Sequence, residues 1–129
     1  MLMVDRIVEL ETMERAVGIK CVSVNEPYFQ GHYPEYPILP GVLIIEGMAQ
    51  VAGVAFADGE EVRGKLPLLA AVEKAKFRRP VVPGDQLRIE TRVVKARRGI
   101  ARIEGKATVD GVLVAEAELM FTIVDKDRV

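Results

Sequence analysis

The chain has 129 residues, half of them hydrophobic and 29% charged, a mixture that fits one folded domain over residues 1–129 and argues against disorder. Its 18 Lys and Arg stand against 19 Asp and Glu, so the basic excess of a nucleic-acid binder is absent. With Cys21 its only cysteine and His32 its only histidine, a disulfide framework, a cysteine-based zinc site and a histidine-rich metal site are excluded.

The N-terminus lacks the basic start, apolar run and small-residue cleavage site of a secretory signal, so a cytoplasmic protein is expected. Residues 3–11 and 15–24 read as two strands, with Val17, Ile19 and Cys21 on one face of the second. Residues 25–40 hold Pro27, Pro34, Pro37 and Pro40, each without a backbone donor, and are expected to be irregular.

The run GVLIIEGMAQVAGVAFA, residues 41–57, starts directly after Pro40, which suits the first turn of a helix, and is apolar nearly all round. It is shorter than the ~20 apolar residues a membrane span needs, and it carries Glu46 and Gln50. No membrane insertion is expected: the run reads as a helix buried in a soluble protein. A sheet covers one side of such a helix, and in a chain this small a partner subunit is needed for the rest. Asp58-Gly59 is expected to end the helix, and residues 60–65 to form an exposed loop.

The second half is strongly β. Leu66 to Phe77 is an apolar run, followed by a proline-bounded bend, RRPVVPGD. Apolar residues then alternate as Leu87, Ile89 and Val93, as Ile103, Ala107 and Val109, and as Leu113, Ala115, Ala117, Leu119, Phe121 and Ile123. Arg98-Gly99 marks one turn, and Asp110-Gly111 is a strong hairpin signal. The expected fold class is α+β: about six antiparallel strands wrapped around one long helix.

Glu46 and Gln50 are the polar interruptions of that helix and, four residues apart, share a face. Two readings are open for Glu46. It faces water on an exposed stripe, or it meets a partner or cleft that offsets the cost of a carboxylate among apolar residues. His32 lies just upstream, in a proline-stiffened loop whose end becomes the helix N-terminus. There the free N–H groups, beginning with Gly41, can stabilise negative charge on a carbonyl oxygen, and Gly41 has no side chain to block a ligand. A lone loop histidine is often incidental. An imidazole, a carboxylate and a helix N-terminus near one point suit proton abstraction beside a thioester carbonyl.

The stretch FQGHYPEYPILPGVLIIEGMAQVAG closely resembles the signature of the 3-hydroxyacyl-acyl carrier protein dehydratases of type II fatty acid synthesis. KFRRPVVPGDQL, at 76–87, and VSVNEPYF, at 22–29, are similar to further blocks of that family. The resemblance implies a hot-dog fold, in which an antiparallel sheet wraps a central helix. It also implies a homodimer with active sites at the subunit interface, often assembled into a trimer of dimers.

Carried over, the resemblance makes His32 and Glu46, from different subunits, the catalytic pair, with Gly41 N–H polarising the thioester carbonyl. Neutral His32 would remove the α-proton and Glu46 would help the β-hydroxyl leave as water. The product would be the trans-2-enoyl thioester. The partner implied is acyl carrier protein bearing its acyl-phosphopantetheine. No cofactor and no metal are implied, because dehydration changes no redox state.

Gln50 positions Glu46, lines the cleft or has a purely structural role. Met48, Phe56, Leu66, Leu68 and Leu69 are candidate linings of an acyl tunnel, or ordinary core. Lys74, Lys76 and Arg78 alternate onto one strand face and, with Arg79, offer a basic edge to an acidic carrier, or are simply a solvated face.

Departures from the family pattern are few. Met1 stands almost at the first strand, where relatives carry a further N-terminal segment, so such a segment is expected either to be missing here or to have been removed. Leu68 occupies the position at which many members have a gating tyrosine. The rival readings are the dehydratase/isomerase sister family, which typically has Asp at the place of Glu46, a hot-dog thioesterase, a non-catalytic acyl-binding module, and a dehydratase of another acyl or polyketide pathway.

Overall fold

Alternating apolar residues and two glycine turns give the chain a long antiparallel sheet, which packs on one long helix in the computed structural model. The structure describes residues 1–57 and 62–128. The elements are β1 (Arg6–Glu11), β2 (Arg15–Cys21), α1 (Tyr28–Gly31), α2 (Gly41–Phe56), β3 (Lys65–Phe77), β4 (Gln86–Arg97), β5 (Ile100–Val109) and β6 (Val112–Asp125). The strands form one sheet in the order β1-β2-β4-β5-β6-β3, with every neighbouring pair antiparallel. The sheet wraps α2, which is the architecture of the hot-dog fold. Among the described residues no helix is long and apolar enough to cross a membrane.

The two turn signals act as expected. Arg98 and Gly99 have φ of 51° and 76°, and Asp110 and Gly111 have 50° and 79°. Two successive positive φ values suit a two-residue connection whose twist matches the flanking strands. The alternation of β4 and β5 places Leu87, Ile89, Ala101, Ile103 and Ala107 in the core.

Close approach of helix to sheet depends on missing side chains. A Cβ on Gly18 of β2 would lie 2.7 Å from Val51 Cγ2, and one on Gly105 of β5 would lie 2.8 Å from Met48 Sδ. Met48 and Val51 are fully buried as a result.

The face of β2 that meets the helix is therefore the one bearing Ala16, Gly18 and Lys20. Val17, Ile19 and Cys21 do share a face, as expected, but it is the opposite one. Val17 is nonetheless buried. It sits in a cross-strand row between Glu9 and Glu90. Arg15, on the same face, reaches across that row to both carboxylates, at 3.0 Å and 2.6 Å. Arg88 adds a bond to Glu9 at 2.9 Å. The hydrogen bonds from Arg15 hold both carboxyls below their ordinary range, Arg88 assisting at Glu9.

Other expectations change, and the second strand ends at Cys21 where residue 24 was expected. The first strand begins at Arg6, because residues 3–5 cross toward the helix. The proline-rich segment contains one helical turn, α1: Pro27 sits at φ −57°, ψ −31°, already helical, and buried Phe29 anchors the turn. β3 is an edge strand whose Leu66, Leu68 and Leu69 are 36%, 40% and 45% exposed, so none is core. A bulge between Glu73 and Lys76, with Lys74 at φ 52°, breaks the alternation that would have put Lys74, Lys76 and Arg78 on one face. The helix ends at Phe56, and the Asp58-Gly59 signal lies outside the described residues.

Candidate active site

His32 follows α1 directly, and its ring is fixed by a backbone carbonyl. Nδ1 lies 2.9 Å from Ile38 O. A carbonyl only accepts, so Nδ1 carries the hydrogen, and in the neutral imidazole Nε2 is left with the lone pair. Tyr33 packs its ring on the imidazole, centroids 4.6 Å apart. Its backbone is at φ 47°, a conformation uncommon for an aromatic residue and a local source of strain beside the histidine.

The loop then returns to the sheet. Leu39 N–H donates to Val81 O at 2.7 Å, tying the histidine loop to the bend after β3. Pro40 precedes the first helical residue, Gly41. His32 and Gly41 open onto one cleft of about 350 Å³, closed by Leu39, Phe77 and Val81 and edged by Arg78 and Arg79. Phe77 fits so closely over Gly41 that a Cβ there would lie 2.9 Å from its ring. A base with a free lone pair thus shares a cleft with the N–H groups that open a 16-residue helix.

Glu46 is not among the residues lining that cleft. Five residues beyond Gly41, it lies about 140° around the helix axis, on the side turned away from the sheet. The same side carries Val42, Ala49, Gln50 and Gly53, and Val42 is 74% exposed. Glu46 is half-buried and accepts a hydrogen bond from Gln50 Nε2 at 3.1 Å. One chain therefore brings His32 and Gly41 together and presents Glu46 on another side of the same helix.

Of the expected tunnel residues, Met48 and Phe56 are core. Phe56 also reaches a groove of about 290 Å³ with Val62, Ile100 and Ile123. Of the expected basic edge, Lys74 is 3.6 Å from Glu118 and Arg78 is 3.2 Å from Glu116, both on β6.

A basic surface that periodicity did not indicate lies around the β4–β5 turn. Lys95, Arg97, Arg98 and Arg102 line a groove of about 340 Å³ with Ile100 and Met120. Among the described residues none of the four has a carboxylate partner. The run KARRGIAR carried the signal, as cations crowded about a turn.

Comparison with known proteins identifies the family and the fold. A model of the FabA-like domain matches residues 1–118. The chain is 57% identical over 129 residues to the 3-hydroxyacyl-[acyl-carrier-protein] dehydratase FabZ of Geotalea uraniireducens, covering 98% of this chain and 89% of that one. To the protein of the same name in Geobacillus thermodenitrificans it is 53% identical over 125 residues, covering 97% and 86%.

Among solved structures, it resembles the dehydratase heterocomplex ApeI:P from Xenorhabdus doucetiae, with a TM-score of 0.81 at 18% identity, covering 98% and 85%. It also resembles a hot-dog-like protein from Thermanaerovibrio acidaminovorans, with a TM-score of 0.75 at 18% identity, covering 91% and 87%. Likeness at those identities speaks for the fold, and the family rests on the sequence matches. The chain belongs to the FabA-like domain family and, within it, to the hot-dog 3-hydroxyacyl-acyl carrier protein dehydratases.

Proposed function

We propose that this enzyme dehydrates (3R)-3-hydroxyacyl-acyl carrier protein to the trans-2-enoyl thioester in fatty acid elongation, with His32 and Glu46 meeting across a homodimer interface. The observation that carries the reading is the hydrogen bond from His32 Nδ1 to Ile38 O. It leaves Nε2 as the free base in the cleft that also holds Gly41.

His32 Nε2 takes the α-proton of the bound thioester. The charge that builds on the thioester oxygen is met by Gly41 N–H and the positive end of α2. The bond from C3 to its hydroxyl breaks, and a proton from Glu46 leaves with that oxygen as water. The electron pair of the broken C–H bond becomes the new double bond. Solvent exchange returns His32 to its neutral form and Glu46 to its protonated form.

The separation of Glu46 from the His32 cleft around α2 supports a site completed by a second subunit. So do the exposed leucines of edge strand β3 and the bare Val42, surfaces that a partner would cover. Leu66, Leu68 and Leu69 then line the acyl path from that edge, with Met48 and Phe56 behind them.

An acidic carrier has two basic surfaces to meet. One is Arg78 and Arg79 at the cleft, near Lys74 and Lys76, and the other is the group of cations around the β4–β5 turn. Charge reversal at either surface slows carrier-linked substrate and spares a small thioester if that surface is where the carrier docks.

The deciding experiment is hydration of a short trans-2-enoyl thioester, followed as loss of the conjugated absorbance. His32→Ala and Glu46→Ala should each cost at least about 10²-fold. Co-expression of the two inactive variants should restore about a quarter of the activity, because half the dimers are then mixed and each holds one intact site. Full activity in either variant, or release of free thiol in place of hydration, would sink the proposal. No restoration on co-expression would place both groups in one subunit.

A further inference from the structure

The side chain of Gln50 is held by three polar partners, and together they allow it only one orientation. Met3 N–H donates to Gln50 Oε1 at 2.7 Å. One hydrogen of Gln50 Nε2 goes to Met1 O at 2.7 Å, and the other to Glu46 Oε1 at 3.1 Å. Turning the amide over would set Nε2 against the Met3 N–H, donor to donor, and Oε1 against the Met1 carbonyl, acceptor to acceptor. Backbone groups cannot change those roles, so the amide must donate toward Glu46.

The N-terminal residues are well placed to enforce this. Met3 is buried, with 6% exposure, and anchors the segment against the fold. Asp5 N–H donates to Ile19 O at 2.8 Å, and Asp5 Oδ2 accepts from Cys21 N–H at 2.6 Å, which fastens the segment to β2. Residues 1–5 thus run from β2 over the side of α2 that bears Glu46 and Gln50.

We propose that the Met1–Met3 backbone is a positioning strap: by locking the amide of Gln50 it fixes the carboxyl of Glu46, committing Oε1 to accept a hydrogen bond and leaving Oε2 as the oxygen that carries the proton. The inference rests on Glu46 as the acid of the reaction. Its consequence is that residue 3, which is linked to Glu46 through the amide of Gln50, governs how often Glu46 is correctly aimed. The strap acts on the chemical step and not on thioester binding.

The test compares Met3→Pro, which deletes the donating N–H, with Met3→Ala, which keeps it and reports the loss of the buried side chain alone. Met3→Pro should lower kcat by about tenfold beyond any loss in Met3→Ala, with KM little changed. Gln50→Leu should show the same split, and adding Met3→Pro to it should cost nothing more, since both break one linkage. Equal kcat in Met3→Pro and Met3→Ala overturns the proposal, as do losses that multiply in the double variant.

Hydrogen exchange covers the case in which Met3→Pro does not fold. The Met3 amide should be protected in the wild type and lose that protection in Gln50→Leu, and unchanged protection also overturns the strap. Wild type and Glu46→Ala run alongside: an active Glu46→Ala refutes the acid assignment, whereas an inactive one with no proline effect refutes the strap alone.

Discussion

Gly41 and Phe77 approach each other as only a glycine permits, with a Cβ on Gly41 placed 2.9 Å from Phe77 Cε1 and 3.0 Å from Cδ1. The ring is 51% exposed and free to swing outward. Gly41→Ala should therefore change stability by less than about 1 kcal/mol. The displaced ring should instead deform the cleft shared with His32, lowering kcat/KM by about tenfold or more. Phe77→Leu added to Gly41→Ala should recover part of that loss, as steady-state kinetics on a short enoyl thioester would show.

Gly18 has no such freedom around it. Its missing Cβ would meet Val51 Cγ2 at 2.7 Å, Val4 Cγ1 at 3.0 Å and Ile7 Cδ1 at 3.3 Å. Val51 is fully buried and, being β-branched, stiff at χ1. Gly18→Ala should destabilise the fold by about 1–3 kcal/mol, measured by urea unfolding. Val51→Ala in the same chain should return part of it.

Lys20 is a charged residue on the helix-facing side of β2, with its side chain 8% exposed, and it pairs with Glu26 in the turn before α1. Lys20→Met leaves the Glu26 carboxylate, 21% exposed, without its cation. That should cost about 2–3 kcal/mol, somewhat less than for a wholly buried pair because water still reaches Glu26. Lys20→Met with Glu26→Leu should be closer to wild type than Lys20→Met alone. The reverse order in denaturation midpoints would show that the pair itself is strongly stabilising.

Acid stability should depend on Arg15. Its hydrogen bonds hold the Glu9 and Glu90 carboxyls below their ordinary value of 4.5. Depressed carboxyls stabilise the folded state fully above the unfolded-state value. That stability is lost as pH falls below 4.5 and through the lower folded-state values. Arg15 stays charged throughout, since the same partners raise its own pKa. In Arg15→Met the difference in stability between neutral pH and the region below 4.5 should shrink, and an unchanged pH dependence would remove the cluster from the account.

Much of the fold was legible because its signals are local. Period-2 alternation gave β4, β5 and β6, and the two turns announced themselves through Gly99, Asp110 and Gly111, residue types that tolerate positive φ. Pro40 ahead of an apolar run gave α2 its start to the residue. The α1 turn was hidden because four prolines in one segment argue against regular structure, while Pro27 itself already has helical dihedrals. The β3 bulge was hidden as well, since no residue type in the run signals that Lys74 would take a positive φ.

The site divides the same way. His32, Gly41, Glu46 and Gln50 stand out in the sequence through residue type and spacing, and so does the family to which the chain belongs. What tertiary structure decided is how they face: that Ile38 O selects the His32 tautomer, that Phe77 closes over Gly41, and that Glu46 points away from the cleft around the helix. Tertiary contact also decided that Met1 and Met3 orient the amide of Gln50. The reason is physical: periodicity and turn chemistry act between neighbours in the chain, whereas these contacts join residues up to 49 positions apart, and only packing chooses among them.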